Sequence, residues 1–168
     1  MNEQEAVKKF NDGISELKKV VNDMKSFQSA DLGRFEFCKS KISSNGDLTK
    51  LPNKGKYIYW FWAEDINGLA ESFCEARKGK DGLPVFNEKH KQSHCIYVGS
   101  SAELKKRIAD HLSEPCDTTY AIKFPKWLNS ETKITCYYFK VDAEEILKSL
   151  ESIMWNQLKP MLGQEAIR

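Results

Sequence analysis

Tyr97 to Leu112 reads YVGSSAELKKRIADHL, and its hydrophobic period changes part-way along. Its first residues continue His94 to Val98 (HCIYV), a short β-branched and aromatic run that reads as a strand closed by Gly99 and Ser100. Ser100 and Glu103 then form an S-x-x-E capping box ahead of Leu104, Ile108 and Leu112, whose spacing is that of one helix face. A strand feeding a helix of about three turns is the expectation. Arg107 and His111 are four residues apart on that helix. A cation and a titratable base therefore stand one turn above the other, at the border of the apolar stripe.

Upstream, Lys56 to Trp62 (KYIYWFW) reads as another strand. The long insertion at 63–93 holds a helix near Leu69 to Arg77 and a KGKDG turn at Lys78 to Gly82. Downstream, Glu114 to Glu131 is loop-like, with aromatic and basic residues interleaved, and Lys133 to Val141 (KITCYYFKV) reads as a third strand. Asp142 with Glu145 caps a last helix whose stripe is Ile146, Leu147, Leu150, Ile153, Met154 and Leu158, ended by Pro160. Ahead of all this, Val7, Phe10, Ile14, Leu17, Val21 and Met24 mark an amphipathic helix over Glu3 to Phe27, and Ser29 to Lys54 reads as an irregular connection. The expected fold is α+β: a small, mainly antiparallel three-stranded sheet flanked by helices, with an extra N-terminal helix. Residues 1–54 form the helical appendage and connection, and residues 55–168 the main domain.

A chain of 168 residues suits one domain with its own core, and 40% hydrophobic with 30% charged residues excludes a disordered or fibrous chain. The polar N-terminus has no signal-like apolar core, and no run approaches the roughly 18 apolar residues of a membrane span. A cytoplasmic protein with no membrane partner is expected. The five cysteines are scattered and never form C-x-x-C, which fits reduced thiols. His90 and His94 followed by Cys95 offer a minor zinc reading without an evident fourth ligand. A net charge of +2 does not announce a nucleic-acid partner. The case rests on local sites.

On the last helix Glu151 occupies the border of the stripe, among Leu147, Trp155 and Leu158, where a half-sheltered carboxylate suits a hard metal ion. Tyr59 and Tyr97 lie on strands, and such tyrosines commonly serve as core aromatics with a satisfied hydroxyl. Lys123 and Lys126, set between aromatics in Tyr120 to Trp127, are candidate contacts to a DNA backbone.

Together these residues resemble the GIY-YIG nuclease superfamily over roughly Tyr57 to Gly163. YVG (Tyr97 to Gly99) stands where that family has YIG, and YIYWF (Tyr57 to Phe61) resembles its GIY strand. Arg107 follows Gly99 at the family's interval, and His111 follows Arg107 as in its homing and restriction enzymes. Glu151, in LESIMWNQLKPML, resembles the family's acidic metal-ligand motif. Three features depart from the pattern: Tyr57 replaces the first Gly of GIY, the gap between the two motifs is longer than usual, and the late Asn falls at Gly163.

The resemblance implies a divalent-metal-dependent DNA endonuclease, of restriction or phage-defence type. Tyr59, Tyr97, Arg107, His111 and Glu151 would be catalytic, and Gly99, Ser100, Lys123 and Lys126 would contact substrate. In this reading Glu151 holds one Mg²⁺ or Mn²⁺, Arg107 binds a phosphate oxygen, and Tyr59 activates water as a phenolate. His111 accepts or relays the proton of Tyr59, and Tyr97 orients water or phosphate. No second DNA-binding domain is expected after Arg168, unlike homing enzymes that carry one. A homodimer joined through the Val7 to Met24 seam is expected for double-strand cleavage. The alternative is a nuclease-like module that binds nucleic acid or protein without cutting.

Overall fold

The computed structural model describes residues 32–42, 45–78, 82–113, 121–129, 131–141 and 146–165. In chain order the elements are β1 (Gly33–Phe37), α1 (Lys39–Ile42), β2 (Lys56–Ala63), α2 (Leu69–Arg77), β3 (Cys95–Ser101), α3 (Leu104–Leu112), β4 (Ile134–Val141) and α4 (Leu147–Leu158). Short 3₁₀ turns lie at Asn45–Lys50, Glu88–His90 and Phe124–Lys126. The strands are ordered β1-β4-β2-β3 and every neighbouring pair is antiparallel.

The α+β class and the antiparallel sheet are as expected, but the sheet has four strands, not three. The additional strand, β1, comes from the stretch read as an irregular connection and pairs with β4, Phe35 opposite Cys136. Its five residues, GRFEF, alternate correctly, but so short a run between turn-forming residues carries no distinguishable period. The N-terminal helix expected over Glu3 to Phe27 lies outside the described residues, as do Asp142 and Glu145.

Pairing register sorts the side chains onto two faces. Tyr57, Tyr59, Phe61 and Ala63 of β2 share one face with Phe35 and Phe37 of β1, Cys136 and Tyr138 of β4, and Tyr97 and Gly99 of β3. Leu104 and Ile108 of α3, Ile122 and Phe124 of the following segment, and Phe73 of α2 join them in the core with no exposed surface. The remaining helix, α4, lies against β3 and β2. It closes at Lys159, whose left-handed φ of 47° turns the chain into Pro160.

Residues 161–163 then run beside β3, where Met161 N–H donates to Cys95 O at 2.8 Å and Leu162 N–H to Ile96 O at 2.9 Å. The end of the insertion grips this segment from outside. Asn87 N–H donates to Met161 O and Gly163 N–H to Val85 O, both at 2.8 Å. Thus the residues that lengthen the gap between the two strand motifs form a brace for the C-terminal segment. Among the described residues, no helix is long and apolar enough to cross a membrane.

Phe61 is the centre of the aromatic core, with ring centroids 6.0 Å from Phe37, 5.0 Å from Phe124 and 5.2 Å from His111. Phe61→Ala is expected to destabilise the fold by about 3–5 kcal/mol in urea denaturation. Ile153→Ala, at a side chain 55% exposed, is expected to change stability by no more than about 0.5 kcal/mol.

Candidate active site

Tyr59 points inward from β2 opposite Gly99, and α3 delivers His111 and Arg107 to its hydroxyl. Tyr59 Oη lies 2.9 Å from His111 Nε2 and accepts from Arg107 Nε–H at 3.3 Å. The roles in the first bond follow from the other side of the imidazole. Ile122 N–H donates to His111 Nδ1 at 3.0 Å, so Nδ1 carries a lone pair. Burial, with help from Arg107, holds the His111 pKa well below 6.5, so the ring is neutral and has one proton. That proton is on Nε2, and it is donated to Tyr59 Oη. His111 is therefore a donor to Tyr59, not a base ready to take its proton. Tyr59 receives two hydrogen bonds and keeps its own proton for a third partner.

Electrostatics oppose ionisation here. Burial foremost, then the Tyr97 phenol, push the Tyr59 pKa well above 10.0, while Arg107 pulls it down through charge and hydrogen bond. Burial likewise raises Tyr97, and Arg107, hydrogen-bonded to it, lowers it. Tyr97 stacks obliquely over the same group, its ring 6.3 Å from Tyr59 and 5.3 Å from His111. The glycine of YVG has a steric cause: a Cβ at Gly99 would sit 2.6 Å from Tyr59 Oη and 2.7 Å from the Tyr97 ring.

Ser100 does not cap α3. It is still within β3, its side chain turned to the face opposite Gly99, and its Oγ donates to Glu151 Oε2 at 2.5 Å. The turn into α3 is made instead by Ser101 Oγ, which accepts from Glu103 N–H at 3.0 Å. Glu151 is half-buried. Burial raises its pKa above 4.5, against the lowering effects of Ser100, Arg107 and Lys148. Tyr59, Tyr97, Arg107 and His111 thus form one hydrogen-bonded and stacked cluster, and Glu151, held by Ser100 on the other face of β3, is coupled to it by charge through Arg107 and Tyr97.

The two lysines stand elsewhere. Lys123 is only 3% exposed, on left-handed backbone (φ 55°), with its Nζ beside Gly82. Lys126 lines a shallow depression of about 550 Å³ with Glu71, Glu75 and Trp127. His90 and His94 are engaged separately: His90 Nδ1 is 3.3 Å from Pro160 O, and His94 Nδ1 is 2.8 Å from Ala63 O.

Two further contributors carried no readable signal. Ile122 acts through its backbone N–H, which no side-chain pattern reveals. Asn87, in the insertion, donates its amide to Pro160 O at 2.9 Å and to Gly163 O at 3.1 Å. Gly163 in turn, at φ +100°, packs so closely that a Cβ there would lie 3.1 Å from the Tyr97 ring. An amide from the insertion therefore orders the corner at Gly163, against which the Tyr97 ring packs.

Comparison with protein-family models, curated proteins and solved structures finds no match. The functional reading rests on the residues themselves.

Because His111 is buried neutral, the unfolded chain takes up a proton there below pH 6.5 that the folded chain refuses. Its contribution to stability is full above that pH and is lost as pH falls toward the depressed folded value. Urea denaturation between pH 7.5 and 5 should show a steeper loss in the wild type than in His111→Gln; equal slopes would contradict a neutral buried ring. Gly99→Ala should cost about 1–3 kcal/mol by the same measurement, through collision with Tyr59 Oη.

Proposed function

We propose that the chain is a divalent-metal-dependent endonuclease that hydrolyses phosphodiester bonds in DNA, of restriction or phage-defence type. The observation that carries this reading is the convergence of Arg107 and His111 on Tyr59 Oη, two donors on one phenol oxygen at 3.3 and 2.9 Å. Hydrogen bonds donated to an oxygen favour its charged form, so this arrangement supports a tyrosine that ionises when substrate is bound. It also matches the residue types and spacing that resemble GIY-YIG enzymes.

The chain offers a hard cation one half-buried carboxylate, Glu151, with the Ser100 hydroxyl hydrogen-bonded to it. Among the described residues there is no cluster of three His, Cys, Asp or Glu, so a cage of protein ligands is not the fit. Mg²⁺ needs no such cage: it commonly binds through one or two carboxylates, retained waters and substrate phosphates. Burial disfavours the charged form of Glu151 despite Ser100, Arg107 and Lys148, and a bound cation would favour it. The donor set therefore fits Mg²⁺ or Mn²⁺. Such an ion would neutralise the non-bridging phosphate oxygens and the departing 3′ oxygen.

The protein's own groups supply the remainder. Arg107, held to both phenols by charge and hydrogen bond, would bind a phosphate oxygen, and its charge favours both phenolates. Tyr59, its phenolic proton first released to solvent as phosphate and cation bind, takes a proton from the attacking water as a phenolate. His111 holds the Tyr59 oxygen in line through Nε2–H, in the tautomer dictated by Ile122. Tyr97, fixed between Gly163 and the Tyr59 ring, orients the phosphate or water. One such site cuts one strand, so cleavage of both strands calls for two copies.

Purified protein with Mg²⁺ or Mn²⁺ is expected to nick supercoiled DNA, with the rate reduced about 10²–10⁴-fold in Tyr59→Phe. Glu151→Ala is expected to lose cleavage together with any metal-dependent rise in melting temperature. Cleavage that survives both substitutions would place the active site elsewhere. Absence of cleavage on varied substrates, with a metal-independent interaction with nucleic acid retained, would support a binding module.

A further inference from the structure

We propose that β1 is a self-association edge, through which two copies of this chain join their sheets antiparallel about a two-fold axis at Phe35. β1 lies at one end of the sheet, and among the described residues no strand pairs with its outer side. The inference does not depend on any catalytic role of the protein.

The sequence of the edge selects both the occupant and the register. Along GRFEF the exposed residues are Arg34 and Glu36, side by side on one face, while Phe35 and Phe37 turn to the core face. A two-fold axis perpendicular to the sheet keeps the faces of two copies aligned, so a slip of one residue is forbidden by the pleat. Of the registers that remain, three centre on the interior residues of the strand, Arg34, Phe35 and Glu36. One places Arg34 opposite its own copy and another Glu36 opposite its own copy; both set like charges directly across, which is destabilising.

The third, centred on Phe35, places Arg34 opposite the second copy's Glu36 twice over, and sets the two Phe35 rings side by side. Opposite charges and aromatic pairs at directly facing positions both stabilise a sheet. Charged side chains, lysine above all, commonly protect edge strands from pairing, and like charges set across a new pair are what repel it. An edge with one charge of each sign, two residues apart, is complementary to itself. The competing contact of Glu36 with Lys133, at 3.8 Å with side chains 48% and 70% exposed, is a solvent-screened pair that a facing strand can displace.

The interface is small. Five residues bury much less than the ~800 Å² per partner of a stable complex, so association in the high-micromolar range is expected. The candidate active site is on the opposite edge, β3. In the joined sheet the two sites stand seven strand spacings apart, roughly 33 Å. Each copy keeps its site open, and pairing contributes no residue to it.

The test is sedimentation equilibrium of the full chain up to high-micromolar concentration, on the wild type, Arg34→Glu, Glu36→Arg and the double swap Arg34→Glu/Glu36→Arg. Circular dichroism of each variant checks the fold, which substitutions at exposed positions should leave intact. The wild type should self-associate to two chains, each single reversal should weaken this about tenfold or more, and the double swap should restore it. A wild type that stays monomeric throughout the range overturns the proposal. So does association that ignores the single reversals, as it would if the Val7 to Met24 seam joined the copies, and so does a double swap that fails to recover.

Discussion

The hydrogen bond between Tyr59 Oη and His111 Nε2 is made where neither residue has any surface exposed to solvent. Phe61 packs against both rings, with Phe124 behind it, so in the protein alone the bond lies out of solvent. A buried polar group without a partner costs the full loss of its hydration, about 1–3 kcal/mol, so each member constrains the others. The imidazole needs Ile122 N–H on one side and the phenol on the other. The phenol needs β2 and β3 close enough that only glycine fits at position 99. Through these requirements one hydrogen bond ties β2, β3, α3 and the start of the segment after it into a single geometry.

The period of a strand explains how so few residues of β3 serve two sides of a site. Tyr97 and Gly99 point to the face of Tyr59, one as a stacked ring and the other as an absence of side chain. Ser100, between that pair and the strand's end, points to the opposite face and holds Glu151. Because β3 is an edge strand beyond residue 97, the two faces meet around its rim, where Arg107 lowers the pKa of both Glu151 and Tyr97. The lower half of the same edge is closed by residues 161 and 162, themselves held by the insertion. Among the described residues that bracing meets β3 at Cys95 and Ile96, and the Tyr97 and Gly99 positions of the cluster follow just beyond it.

What was legible in the sequence follows from the range over which each signal acts. The KYIYWFW and KITCYYFKV runs, and the Leu104/Ile108/Leu112 stripe, are periods repeated often enough to reveal their elements. The i, i+4 spacing of Arg107 and His111 placed both at the Tyr59 hydroxyl because helical geometry is local. GRFEF has the same alternation as its partner strand but only five residues of it, and its pairing with β4 joins residues about a hundred positions apart. Ser100 satisfied the spacing of a cap and was taken by the strand instead, since β3 continues to Ser101 and the carboxylate of Glu151 competes for the hydroxyl. Lys123 reads as a surface cation among aromatics, but left-handed backbone turns it inward. Such reversals depend on φ at one residue, which composition does not encode.

In the protein alone, every shift at the site acts to reduce charge. Burial keeps Tyr59 and Tyr97 protonated, keeps His111 neutral and draws Glu151 toward its protonated form. Arg107 is the exception, a guanidinium whose charge the two phenols favour. A site so arranged is poorly suited to act on water by itself, since no group in it is a strong base near neutrality. A phosphate beside Arg107 and a cation beside Glu151 would arrive with opposite charges and largely cancel one another's cost of burial. The second would also lower the cost of ionising Tyr59, whose oxygen already receives both donors and needs no rearrangement to become a phenolate. On the proposed reading, then, reactivity is conditional on the assembled complex, and the same burial that holds the fold together keeps the site idle until both charges are present.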